Sequence, residues 1–306
     1  MALRILVPPG IGDIYWVLVK LRGFLEEKGF SNPEIWIDAP NDKKRALQFV
    51  ERIPFVTPGG YFDREKGALT GPMHRWKQRK GWEDLIRWEA YQSDGRHAFP
   101  DVDGFDWFMS YNGSMDKGKS LDEMDPQWPA DWDIDFKITP YELEYGRALK
   151  SKIGPYVIAA VFDAGFYKHW FQEMSVEDIS GIFSQIRKET GFRIVLTGAS
   201  WDHSPVNLKL LEMDKEILSL IGETTLEEYF SALRASEGCI GFPAGNTMMG
   251  AAFGIPTVII WNKVFPKKFH SNACPPKSLG NWYEPVDTID SNRKVIDTFV
   301  NLMRKA

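Results

Sequence analysis

Apolar residues recur along this chain in runs of four or five, and after most runs they return every third or fourth position. Leu3–Val7 is the first run, and a glycine-rich turn, Gly10-Ile11-Gly12-Asp13, follows it at once. Ile14, Val17, Leu18, Leu21 and Leu25 then repeat at helical spacing. Glu34–Asp38 reads as a second strand, Asn41–Glu51 as a helix begun by an Asn cap, and Phe105–Tyr111 as a third strand. The pattern restarts near residue 155. Strands are predicted at Tyr156–Phe162, Arg193–Thr197, Ile217–Ile221, Gly238–Phe242 and Thr257–Trp261. Helices are predicted between them at Ser175–Thr190, Asn207–Met213, Thr225–Ala235 and Asn246–Phe253.

Such alternation demands right-handed crossovers and a mostly parallel sheet with helices on both faces. The chain's 306 residues exceed one ordinary core and suit two. The expected division is an N-terminal Rossmann-like domain over residues 1–152 and a second over 153–288, with a C-terminal helix in 289–306. That helix carries Val295, Ile296, Phe299, Val300 and Met303 on one face. It either returns to the first domain or packs on its own. Ligands of such sheets sit at the carboxyl ends of the strands, where loops and helix N-termini converge.

Apolar residues make up 43% and charged ones 26%, a globular composition. Met1–Gly10 does not read as a targeting signal, and no apolar stretch approaches the ~20 residues that span a bilayer. With two cysteines, Cys239 and Cys274, there is neither a metal-ligand pairing nor a disulfide framework, so a reducing cytoplasm is the expected location. The net charge of −5 argues against wholesale coating of nucleic acid, but the charge is unevenly placed. Residues 74–88 hold five Arg or Lys against two acids, interleaved with three tryptophans, whereas 101–135 holds ten acids against two lysines. The basic-aromatic stretch, with Arg75, Trp76, Lys77, Arg79, Lys80 and Trp82, is the candidate acceptor-binding segment. Asp101/Asp103 and Asp133/Asp135 form Asp-x-Asp pairs able to hold Mg²⁺, but a solvated acidic loop is the simpler reading and no metal is expected.

Three segments carry candidate chemistry. In the Gly10–Asp13 turn, Gly12 lets the backbone approach a ligand, and Asp13 either caps the following helix or acts on substrate. A nicotinamide dehydrogenase is disfavoured, because no third glycine completes the dinucleotide fingerprint. In Phe242–Pro256 a strand ends, small residues turn, and a helix starts at Gly245, Asn246 and Thr247, aiming N–H groups at an anion with the Thr247 hydroxyl as a further donor. In Asp163–Trp170 a lysine, Lys168, stands in the loop after the first strand of the second half, where a cation can neutralise a diphosphate.

In this order the segments resemble the ADP-heptose:lipopolysaccharide heptosyltransferases, glycosyltransferase family 9, of the GT-B architecture. The resemblance spans both halves: GIGD at the N-terminus, KHW at 168–170, TGASWD at 197–202, IGETTLEEY at 221–229 and AGNTMMGAAFGIP at 244–256. It implies two Rossmann-like domains facing across a cleft, a nucleoside-diphosphate sugar as co-substrate and no other cofactor. Carried over residue by residue, it makes Asp13 the general base and places Lys168 on the donor phosphate, with Asp163 and Ala164 of its loop also donor-binding. It puts Asp202 on the nucleoside, Thr224 in the base pocket, and Gly245, Asn246 and Thr247 at the diphosphate. The chain departs where the family has Asp-Ser/Thr-Gly and a histidine three residues on. Here stand Pro243-Ala244-Gly245 and Met248, which lies on the donor side, so heptose is not carried over.

The function expected from these readings is inverting transfer of a sugar to an acceptor hydroxyl, Asp13 taking the proton while Lys168 and the Gly245 helix stabilise the leaving diphosphate. The acceptor is a glycan or other saccharide by family habit. Transfer to a hydroxylated, flipped-out base in DNA is the alternative that residues 74–88 suggest. A non-catalytic nucleotide-sugar binder on the same fold is a third reading, distinguished by its failure to release free nucleoside diphosphate.

Overall fold

A computed structural model describes residues 2–39, 44–62, 97–102, 104–111, 119–161, 174–261, 267–288 and 290–305. The chain forms two compact units that divide between Lys137 and Ile138.

In the first unit, β1 (Arg4–Val7) leads through the glycine turn into α1 (Ile11–Lys28), then β2 (Glu34–Ile37), α2 (Lys44–Val50), β3 (Thr57–Tyr61), β4 (Ala98–Val102) and β5 (Phe105–Met109). The strand order is β3-β2-β1-β5-β4, parallel throughout except for β4, which runs antiparallel to β5 at the edge. The buried side chains Ile14, Val17, Leu18, Leu21 and Leu25 of α1 are those whose spacing predicted it. The helix ends where Gly29 adopts the left-handed conformation (φ 71°) that a Schellman-type cap requires, its N–H reaching back to Glu26 O. Both β3 and β4 escape a periodicity reading. One is Thr-Pro-Gly-Gly-Tyr, and the other contains Pro100 and a positive-φ Asp101, residues disfavoured in strand interiors.

The second unit opens with α3 (Pro140–Ile153), followed by β6 (Tyr156–Ala160), α4 (Val176–Thr190), β7 (Arg193–Leu196), α5 (Pro205–Met213), β8 (Leu218–Ser219), α6 (Leu226–Ala235), β9 (Gly238–Gly241), α7 (Gly245–Ala252), β10 (Thr257–Trp261), β11 (Tyr283–Asp287) and α8 (Asn292–Lys305). Its six strands are all parallel, in the order β11-β10-β9-β6-β7-β8. Pro285 is tolerated in β11 because that strand is the edge of the sheet. Helix starts carry reciprocal side-chain caps where the sequence supplies Ser or Thr three residues before an acid, as at Ser175/Asp178 and Thr225/Glu228.

The division falls earlier than the 152/153 expected, and α3 is the reason. Its polar sequence gives no apolar stripe, yet Thr139 caps it and its middle is pressed against α6. A β-carbon at Gly146 would collide with the Ser231 carbonyl and come within 2.7 Å of the Ala235 side chain. The Gly146 N–H also donates to Ser231 Oγ at 2.6 Å. Two helices this close belong to one body. α8 lies against α4, β10 and β11 of the same unit, burying Val295, Ile296, Phe299 and Val300, with Met303 packed at their side.

Candidate functional site

In the first unit the Gly10–Asp13 turn leaves the carboxyl end of β1, a strand paired on both sides. Gly10 is the N-cap of α1, and Asp13 is the third helical residue. The carboxylate folds back over the cap, so that a β-carbon at Gly10 would run into Asp13 Oδ2. This is the physical reason for glycine there. The partly buried carboxylate sits over the open, positive end of an 18-residue helix, at the ligand edge of the sheet. Capping and proton transfer are both open to a side chain so placed.

In the second unit the direction of chain progression reverses between β6 and β9, which are neighbours. This is the topological switch point, where open α/β sheets bind ligands. Ala160 pairs with Gly241, and Phe242 N donates to Ala160 O at 3.0 Å. From β6 the chain passes through buried Val161 toward the segment bearing Asp163, Ala164 and Lys168. Those three residues lie outside the described residues, as do Arg75, Trp76, Lys77, Arg79, Lys80 and Trp82. From β9 it passes through Phe242-Pro243-Ala244 into α7. The strand that precedes one motif and the strand that leads into the other therefore end side by side.

The turn into α7 is fastened from within. Thr247 Oγ1 donates to Phe242 O at 2.7 Å and accepts from Ala244 N at 3.1 Å, and the residue is fully buried. Its hydroxyl thus shapes the turn, and what α7 presents outward is the backbone N–H groups of Gly245 and Asn246. Met248 is likewise 3% exposed and packs inward. Beneath, Gly250 lets the helix lie on the sheet: a β-carbon there would stand 2.7 Å from Thr257 Oγ1 and 3.0 Å from Cys239 Cβ.

On the other side of β6, the loops after β7 and β8 meet. Asp202 Oδ2 accepts from Ala199 N at 2.7 Å, closing its own turn, and Asn207 Nδ2 donates to Asp202 O at 2.8 Å. Gly222 N donates to Gly198 O at 3.1 Å. Gly222 (φ 73°) lies so near that a β-carbon would be 3.2 Å from Ser200 Cα. Buried Thr224 follows, and Thr225 caps α6. Asp202 and Thr224 therefore stand on adjoining loops at one edge of the sheet.

Two participants escape a sequence reading. Gly241 has no room for a side chain, because a β-carbon would strike Ala160 O and stand 2.9 Å from Thr247 Cγ2. Tyr229, inside the IGETTLEEY stretch, donates its hydroxyl to Asn246 O at 2.8 Å. Neither cysteine offers a nucleophile. Burial pushes the Cys239 thiol up to about 12 and the Cys274 thiol up to about 11. Among the described residues no group of three His, Cys, Asp or Glu side chains is placed to hold a metal ion, and no helix is long and apolar enough to cross a membrane.

Gly241→Ala is expected to lower unfolding free energy by about 1–3 kcal/mol, as overpacking against backbone does. Urea denaturation measures it, and a loss below about 0.5 kcal/mol would mean that β6 and β9 part without strain.

Two α/β units with mostly parallel sheets, the second a doubly wound parallel sheet, define the GT-B class of fold. Solved structures of that class superpose over the whole chain. The glycosyl transferase family 9 protein from Veillonella parvula matches with a TM-score of 0.66 at 12% identity, covering 100% of this chain and 98% of that one. The E. coli ADP-heptose lps heptosyltransferase II matches at 0.65 and 13%, covering 100% and 99%. The E. coli heptosyltransferase WaaC with ADP matches at 0.54 and 12%, covering 98% and 100%. No protein-family model matches the sequence, and no curated protein does. The likeness read from the motifs is thus met at the level of fold, where the chain is similar to family 9 glycosyltransferases.

Proposed function

We propose that this chain is a glycosyltransferase that moves a sugar from a nucleoside-diphosphate sugar to an acceptor hydroxyl with inversion. The observation that carries the reading is the switch point of the second sheet. There β6, the strand that precedes the Lys168 segment in sequence, ends beside β9, the strand that leads into α7, with Ala160 paired to Gly241. A helix N-terminus at that edge suits a diphosphate, and Lys168, which follows β6 in sequence, is the cation proposed to neutralise it. The loops of Asp202 and Thr224, one strand further along, suit the nucleoside. Asp13, over the N-terminus of α1, is the proposed base. A saccharide is the proposed acceptor, in keeping with the heptosyltransferases among the superposed structures, and residues 74–88 are proposed to bind it.

Thermal unfolding with ADP, GDP, UDP and CDP tests the donor site. A ligand at about 100 times its dissociation constant adds roughly 2.7 kcal/mol, a rise of several degrees. One nucleotide is expected to give that rise in the wild type and to lose most of it in Lys168→Ala. No rise with any of the four would overturn the reading.

A further inference from the structure

The proposed diphosphate site consists of backbone, so its affinity depends on how firmly that backbone is held. Thr247 fixes the turn before α7 through Phe242 and Ala244. Nothing in that set reaches the first turn of the helix from another element. Tyr229 does. It belongs to α6, is 3% exposed, and its hydroxyl donates to the carbonyl of Asn246, 17 residues away in sequence and second residue of α7. The α6 helix begins just after Thr224, capped by Thr225 and Glu228. A single phenol therefore ties the helix that follows the nucleoside-side loop to the turn that presents N–H groups to phosphate.

We propose that Tyr229 is a positioning residue for the donor diphosphate, its bond to Asn246 O holding the first turn of α7 in line with the loop of Thr224. This rests on the donor-site reading above and deepens it. The phenol is too deeply buried to be offered as a ligand group itself. What it holds is the Asn246–Thr247 peptide, and through it the first turn that carries the Gly245 and Asn246 N–H groups. A first turn that pivots freely presents the same N–H groups with more freedom to lose on binding, and affinity falls by that amount. Nucleoside binding, made by the loops after β7 and β8, does not pass through the Asn246 carbonyl.

Tyr229→Phe removes one oxygen and keeps the ring among its neighbours. The probe is whichever of ADP, GDP, UDP and CDP protects the wild type, compared with its own nucleoside. Titration calorimetry measures the first and ligand-observed NMR the second. The variant is expected to bind the diphosphate about fivefold more weakly, the size of one lost hydrogen bond, with nucleoside affinity unchanged. The ratio of the two affinities is the deciding quantity, because a general loosening of the fold lowers both and leaves the ratio alone. A ratio equal to the wild type's overturns the role of Tyr229 and leaves the donor site standing. A wild type that binds none of the four diphosphates overturns the donor site, and this role with it.

Discussion

Asp13→Ala is expected to lower sugar transfer by about 10²–10⁴-fold while leaving donor binding within a few-fold of the wild type, the range a positioned general base contributes. Two roles, proton acceptor and helix cap, are open to this residue at one address. Its carboxylate lies over Gly10 at the N-terminus of α1, where an acid also stabilises the helix through the dipole. Alanine removes both functions, so a rate loss alone is ambiguous. Asp13→Asn separates them. The amide keeps a hydrogen-bond acceptor over the cap but cannot take a proton. If Asp13 is the base, alanine and asparagine fall together in kcat, and both, having lost the charge at the helix N-terminus, lose about 0.3–1 kcal/mol of stability. If it is a cap only, asparagine restores transfer to near the wild-type rate. Nucleoside-diphosphate release with saturating donor and acceptor measures the first quantity and urea unfolding the second. Transfer by Asp13→Asn within tenfold of wild type would remove the base from the mechanism.

The inner parallel strands β1, β6, β7, β9 and β10 were legible because they are buried and read as apolar runs. Thr257–Trp261 is a strand with the very ends its run of Val, Ile and Trp predicts. The turn into α7 was legible too, because strand end, small-residue turn and helix leave a compositional trace in Phe242–Pro256, whereas the switch point beside it is a matter of strand order. What the alternation could not show is anything held by contact across distant sequence. α3 has no apolar stripe, since its burial rests on Gly146 meeting Ser231, and a glycine in a polar helix carries no periodic signal. The edge strands β3, β4 and β11 contain proline, which an edge tolerates and a pattern reading rejects. Side-chain roles were the least legible. Thr247 stands where a phosphate donor would, yet its hydroxyl is directed at Phe242 O, a choice fixed by local turn geometry. Tyr229 was visible only as the last letter of a motif, because its partner is a backbone carbonyl on another helix.

Lys20→Met is expected to destabilise the protein by about 1.5–3 kcal/mol at pH 7, the range for losing a hydrogen bond made by a charged group and leaving its buried acceptor unpaired. Lys20 is 1% exposed on α1 and donates to Trp128 O at 2.8 Å. Asp122 and Asp125 are its acidic neighbours. Asp125 in turn accepts from His97 N at 3.3 Å and from Tyr111 Oη at 3.4 Å, so one carboxylate ties the start of β4 to the end of β5. Methionine keeps the unbranched stem and its packing, which confines the loss to the charge and the bond to Trp128. The pH dependence identifies the cause. Burial raises the Asp125 carboxyl above its ordinary 3.8, opposed first by the His97 N–H and then by Lys20. A carboxyl raised in the folded state stays protonated there after the unfolded chain has released its proton. Between the two values the folded state binds more protons, and stability falls as pH rises. Removing Lys20 raises the folded value further and widens that window. The deficit of Lys20→Met should therefore be smaller at pH 4 than at pH 7. Urea unfolding at both values reads it directly. A deficit that does not change with pH would assign the loss to packing and to the Trp128 bond, and would remove Asp125 from the account.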